Sequence, residues 1–212
     1  QNGNGAFYIQ NATGNDNNIF VRAKSGEDSI KAIANGAVEL YHDNIKTFET
    51  ISGGAKLQGG EGIAAHLYMF ADEGDDNADK WVFRADASSS QLKLRNYASG
   101  SWEESIIANG NGSVDLYYDN SKKFETTSSG ATVTGDLVVS DDLTVTDDLF
   151  MFDGGKIKLG HGSDLEIYHD GTKSYIDNNT GDLEVVTPAR IELQGDNGSE
   201  TMARFTTNGA TE

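Results

Sequence analysis

Asp72-Glu73-Gly74-Asp75-Asp76-Asn77-Ala78-Asp79 is the densest set of metal-type ligands in the chain. Asp75, Asn77 and Asp79 offer oxygens at alternate positions, the D-x-[DN]-x-[DN] spacing with which a loop begins to wrap calcium. Calcium takes about 6–8 hard oxygens and this spacing supplies three of them. The glycine and distant glutamate of an EF-hand loop are missing, because Trp81 and Val82 follow. Calcium is the candidate ligand, a solvated acidic loop is the simpler reading, and no other cofactor is expected.

Other reactive residues are less organised. His42, His66, His161 and His169 form no His-x-His or H-E-x-x-H pair. His161, between Gly160 and Gly162, is the best placed of them for a three-fold axis, where one His per chain would give a metal three nitrogens. Two carboxylates would suffice for glycoside hydrolysis, but their separation decides the case, and among 34 acids no pair stands out. No G-x-S-x-G elbow, P-loop or dinucleotide fingerprint occurs. Trp81, Phe83, Tyr97 and Trp102 flank the small polar runs Ala-Ser-Ser-Ser-Gln and Ala-Ser-Gly-Ser. They suit either a sugar-stacking platform or, as the plainer expectation, caps on a core between strands. No catalytic residue emerges, and the expectation is that the protein is not an enzyme.

The elements that carry these residues are repeats. Ser29 to Ala55 reads SIKAIANGAVELYHDNIKTFETISGGA, and Ser105 to Ala131 reads SIIANGNGSVDLYYDNSKKFETTSSGA. The two align without a gap at an offset of 76, with 17 of 27 positions identical. A looser third copy, LEIYHDGTKSYI, starts at Leu165, with Lys173 and Tyr175 set against Lys46 and Phe48. The last five residues, Asn208-Gly209-Ala210-Thr211-Glu212, repeat Asn35 to Glu39 at four of five places, the start of a truncated fourth copy. Each copy reads as strand, turn, strand. Val38, Leu40 and Phe48 share one face with Glu39 and Thr47 on the other. The pairs Asp43-Asn44, Asp119-Asn120 and Asp170-Gly171 are the turn residues, which tolerate positive φ. Ser25-Gly26-Glu27-Asp28 before Ile30 fits a capped helical turn or a strand approach, with the strand preferred.

A second period runs from Ser129 in sixes: SGATVT, GDLVVS, DDLTVT, DDLFMF, DGGKIK. Apolar residues hold the third and fifth places: Ala131 and Val133, Leu137 and Val139, Leu143 and Val145, Leu149 and Met151. Each hexad reads as a short strand with two inward side chains and a Gly or Asp corner. Bulky residues at both inward places would crowd a single-chain triangular coil, so three chains around one axis fit better. Asp136, Asp141, Asp142, Asp147 and Asp148 belong at outer corners facing water, where like charges are solvated.

Composition sets the outer limits. The chain has 212 residues, 25 of them glycine, one proline and no cysteine. It is 36% hydrophobic with a net charge of −18. So polar a chain has little from which to bury a core alone, and association of identical chains is the usual remedy. The negative charge excludes nucleic acid as a partner. The lack of cysteine excludes disulfides and thiolate metal sites. No apolar run approaches the ~20 residues of a membrane span. The first residue is Gln1 rather than Met, from which residues upstream are expected.

The phrases NGAVELYHDN, NGSVDLYYDNSKKFETTSSGATVTGDL and GSDLEIYHDGTKSYI, with ADEGDDNADKWVF at residues 71–83, resemble repeats in tail-fibre and structural proteins of marine bacteriophages, including cyanophages. They cover well over half of the chain. The resemblance implies an elongated homotrimer in the virion, assembled in the host cytoplasm, joined to other tail proteins and contacting a host-surface glycan. The expected fold is all-β: hairpin repeat modules at 1–60 and 61–128, a hexad shaft of β-prism or β-helix type at 129–158, and a third module at 159–212. The expected function is structural, spacing or presenting a receptor-binding surface. The alternatives are a calcium-dependent bacterial extracellular adhesin or β-solenoid, and a polysaccharide-degrading tailspike.

Overall fold

The computed structural model describes residues 9, 17–195, 198 and 200–206. The chain divides into two compact units, 1–139 and 140–212. The fold is all-β and its sheets are antiparallel and open.

The first unit holds two sheets in which every strand pairs with its chain neighbour. Five strands form the first: β1 (Ile19–Val21), β2 (Ile30–Ala32), β3 (Val38–His42), β4 (Ile45–Ile51) and β5 (Gly54–Leu57). The second has seven: β6 (Ala65–Phe70), β7 (Lys80–Ala85), β8 (Gln91–Asn96), β9 (Glu103–Asn109), β10 (Val114–Tyr118), β11 (Ser121–Thr127) and β12 (Gly130–Val133). The second unit holds β13 (Lys156–Leu159), β14 (Leu165–His169) and β15 (Ser174–Asn178) in one sheet, and β16 (Arg190–Gly195) with β17 (Glu200–Thr206) in another. The preference for strand over helix near Ile30 is borne out, with Ser25 and Gly26 in a turn closed by a Lys24–Glu27 bridge before β2.

Side chains alternate between the faces of a strand, so residues in register form rows across a sheet. One row of the first sheet is Val21, Ile30, Leu40, Phe48 and Leu57. The second sheet carries Leu67, Phe83, Leu94, Ile106, Leu116, Phe124 and Val133 in an unbroken line over seven strands. Ile157, Ile167 and Ile176 make the row of the third. No second layer covers these rows within either unit, and most of their members stand open to solvent. Among the described residues only Val82 and Ile107 are buried apolar side chains. Four acids, Glu39, Glu49, Asp115 and Glu166, are buried as well, all on the opposite faces.

The first two copies close their turns alike. Asp43, Asn44, Asp119 and Asn120 all have φ between 50° and 61°, the left-handed pair of a type I′ turn that matches strand twist. Asn44 Oδ1 accepts the Asp28 amide at 2.9 Å, and Asn120 Oδ1 accepts that of Glu104 at 3.0 Å. Behind each turn the register shifts, between Leu40 and Tyr41 and between Leu116 and Tyr117, as an extra residue enters the second strand. That bulge corrects one expectation. It brings Lys46, not Thr47, to the side of Glu39, while Thr47 lines a cavity with Leu57 and Ile63.

The third copy is built differently. Four residues, 170–173, connect β14 to β15, and the pairing has no bulge. Asp170 does not take positive φ; its Oδ1 accepts the Thr172 and Lys173 amides at 2.8 Å, and only Gly171, at φ 96°, is left-handed. Tyr175 therefore faces Tyr168 and Ile176 faces Ile167, so Ile176 takes the place of Phe48 that Tyr175 was expected to fill. The longer loop moves the register by one residue.

Residues 134–155 form no strand in the single chain. The six-residue period is nevertheless present, as bends at Thr134-Gly135, Ser140-Asp141 and Thr146-Asp147. The third-place residues Leu137, Leu143 and Leu149 are 61–68% exposed, and the fifth-place Val139, Val145 and Met151 are 41–44% exposed. The five corner acids are all exposed, as expected. The stretch Gly181-Asp182-Leu183-Glu184-Val185 repeats the Gly-Asp-Leu-x-Val pattern of residues 135–139, a match the hexad count stops short of, and residues 182–187 also form no strand. The proposed fourth copy lies outside the described residues, apart from the β17 strand that precedes it.

Replacing Asn44 with Gly keeps the turn backbone and removes the bond to Asp28, with an expected loss of about 0.5–1.5 kcal/mol. Asn44→Ala loses the bond and replaces a residue that tolerates the left-handed region with one that does not, adding about 1 kcal/mol. Urea unfolding of both variants checks the order; equal losses would refute it.

Candidate functional site

The most ordered side-chain chemistry lies on the face opposite the apolar row, at one repeat position. Glu39, Asp115 and Glu166 are the middle residues of Val-Glu-Leu, Val-Asp-Leu and Leu-Glu-Ile, and each is at least nine-tenths buried. Each also faces a second carboxylate in register: Glu39 with Glu49, Asp115 with Glu125, Glu166 with Asp177. Like charges directly opposite destabilise a sheet unless a cation joins them. Lysine does so. Lys46 Nζ contacts Glu39 at 2.9 Å and also bonds Glu49, while Lys31 and Lys56 close the row from either side.

The second copy shortens the acid by one methylene. Lys122 bonds Glu125 but stands 3.8 Å from Asp115, where Asn109 Nδ2 donates to Asp115 Oδ2 at 3.2 Å instead. In the third copy the cation comes from the preceding strand, with Lys156 at 2.5 Å and Lys158 at 3.4 Å from Glu166. Lys173, the sequence-expected counterpart of Lys46, lies in the loop, and Lys156 also sits 4.1 Å over the Tyr168 ring. This lysine exchange is not legible from aligned motifs, because the partner arrives from a strand outside the repeat.

These contacts shift protonation in one direction. The Tyr41 hydroxyl, donating to Glu39 at 2.6 Å, and then Lys46 hold Glu39 down from its ordinary 4.5 to about 2. Lys46 keeps Glu49 low, and Lys156 does the same for Glu166. Lys46 itself is raised, first by Glu49 and then by Glu39. Thr172 and the backbone amides of its loop lower Asp170. Carboxylates saturated by lysine are suited to holding strands in register rather than to moving protons.

The acidic loop forms two 3-10 turns, Asp72–Gly74 and Asn77–Asp79. It brings Asp75 and Asp79 together with Asp76, their ligand oxygens all within 4.8 Å of one another. Asn77, expected between them, has its amide nitrogen against Gly100. The three carboxylates are the residues able to hold a hard cation, and they would supply three of its ligands. His161 is exposed in the turn between β13 and β14, and His169 Nδ1 lies 3.1 Å from Ser174 Oγ.

The aromatic group splits between faces. Phe83 belongs to the apolar row and Trp81, two residues before it, shares its side; Tyr97 and Trp102 lie on the charged side, 5.2 Å apart. Tyr68 joins them there at 5.8 Å from Trp102. The sequence reading passed over Tyr68, although His66, Tyr68 and Phe70 alternate along β6 as residues of one face must.

Cavities line the first unit among the described residues. One, of about 260 Å³, holds Ile45, Leu57, Ile63, His42 and His66. Another, of about 580 Å³, is polar and lies between Asn109, Asn111, Ser113, Thr126, Thr127 and Ser128. At the same positions of the first copy stand Ile33, Ala37 and Ile51 in place of Asn109, Ser113 and Thr127. No family model, curated protein or solved structure matches this chain.

The sign of the acid response follows from the lowered carboxylates. The unfolded chain binds protons at Glu39 near 4.5 and the folded chain near 2, so this contribution is full above the first value and is lost as pH falls toward the second. Lys46→Met leaves Glu39 and Glu49 facing without their bridge. It is expected to destabilise at pH 7 and to lose much of that effect at pH 4, where one carboxyl takes up a proton. Urea midpoints at the two values test this, and an effect equal at both would refute it.

Proposed function

We propose that this chain is a segment of a homotrimeric fibre whose interchain core is built from the apolar rows, with a structural role in a phage tail fibre and no catalysis. The observation that carries the trimeric part is uncovered surface. In the seven-strand row Leu67, Phe83, Ile106, Leu116 and Val133 stand 37–52% exposed, where a core row would be buried. The exposed side chains lie in rows, as an interface requires, and the acids and lysines lie on the other face.

The hexads favour three chains over a single-chain coil, which bulky residues at both inward places would crowd. Their bends recur every six residues while no strand forms there in the single chain, which suits strands completed by other chains around a common axis. Corner aspartates facing water keep such a shaft soluble. The phage assignment rests on the resemblance of the repeat phrases to those of marine phage tail fibres. In that setting the segment spaces or presents a host-binding surface and is joined to other tail proteins.

Mass photometry of the purified chain is expected to give three times the chain mass, unchanged by EDTA. A monomer that unfolds in EDTA would favour a calcium-dependent adhesin, and release of reducing ends from capsule would favour a tailspike. Leu116→Asp sets a charge in each chain's apolar row at a cost of several kcal/mol and is expected to abolish the trimer. Ser99→Asp, on an exposed turn, is expected to leave it intact.

A further inference from the structure

We infer that the charged face of the seven-stranded sheet carries a carbohydrate site, a ring platform of Tyr68, Phe70 and Trp102 that stacks on uncharged sugar units. The surrounding face is ionic. Arg84, Lys93, Arg95 and Glu104 occupy it, and in the first sheet the same face is a lysine–carboxylate lattice. The rings interrupt that chemistry. His66 stacks on Tyr68 with centroids 5.5 Å apart, Phe70 follows at 5.9 Å, and Trp102 closes from the side at 5.8 Å. Tyr68 and Phe70 remain 52% and 54% exposed, more than shielding the buried Val82 beneath them requires.

The Trp102 corner is not part of the repeat, since Gly26 stands at the offset of 76 from it. Ring faces beside fixed polar groups bind the apolar faces of sugars while the rim takes their hydroxyls. Arg95 Nη2 donates to the Trp102 backbone carbonyl at 3.0 Å, which ties down the backbone that carries the indole. The net charge of −18 opposes acidic polysaccharides, which leaves uncharged glycans as the class. The site lies within one chain, and it rests on the fibre reading only in that the charged face points outward.

Titration of the full chain with maltohexaose, cellohexaose and chitohexaose, followed by calorimetry and tryptophan fluorescence, is expected to give saturable binding to at least one. A hexagalacturonate is expected not to bind. Tyr68→Ala and Phe70→Ala are each expected to weaken binding about tenfold, while Tyr118→Ala, at an exposed tyrosine outside the cluster, leaves it unchanged. Mass photometry on the same samples separates this proposal from the fibre reading. If the trimer is intact and none of the three sugars binds, the site is refuted while the fibre stands. If Tyr68→Ala disperses the trimer, the rings are an interchain contact and the proposal is overturned.

Discussion

A sheet one layer thick cannot hide either of its own faces, and everything else in this protein follows from that constraint. Within each sheet the strands are antiparallel neighbours in chain order, and among the described residues no second layer forms on a sheet within its own unit. Hydrophobic burial, the dominant favourable term in folding, is nearly absent within each unit. What holds a single layer flat and in register must come from turns, bulges and cross-strand pairs.

The two faces divide those tasks. The carboxylate–lysine rows fix which residues stand opposite which, through contacts that a solvated face can sustain. Screening weakens such pairs, so their value lies in choosing among registers more than in depth of stability. The apolar rows carry the burial that awaits a covering layer. The bulge behind Asn44 and Asn120 links the two, because it turns Lys46 and Lys122 toward the acids while leaving Phe48 and Phe124 in the apolar row. Thr47 shows why the pattern misled: strict alternation holds only until an extra residue enters the strand.

Much of this was legible in the sequence. The gapless 76-residue offset fixed the two-copy architecture, and Asp-Asn between apolar runs marked the turns. The hexads were legible as a period, which the bends repeat, but the strands expected there do not form in the single chain. The third copy misled for a different reason. Its Asp-Gly pair suggested a tight turn, but the carboxylate of Asp170 organises a four-residue loop, and one added residue reassigns every partner downstream. In the acidic loop Asp76 lies with Asp75 and Asp79, a neighbour that the alternate spacing passes over. Tyr68 sits in a strand of mostly apolar residues, where His66, two residues before it, is the one polar mark of its face.

The charged rows also act as a check on alignment. A slip of one residue between β3 and β4 would turn the apolar side chains to the wrong face and is rejected by solvent alone. A slip of two keeps every face and would pass that test. It is the paired acids with one shared lysine that tell those near-copies apart, since moving Glu49 by two positions strands a carboxylate without its cation. Two of these checkpoints draw their lysine from the same place behind the bulge, Lys46 and Lys122, and the third takes Lys156 from the preceding strand, which sets the third repeat apart from the other two.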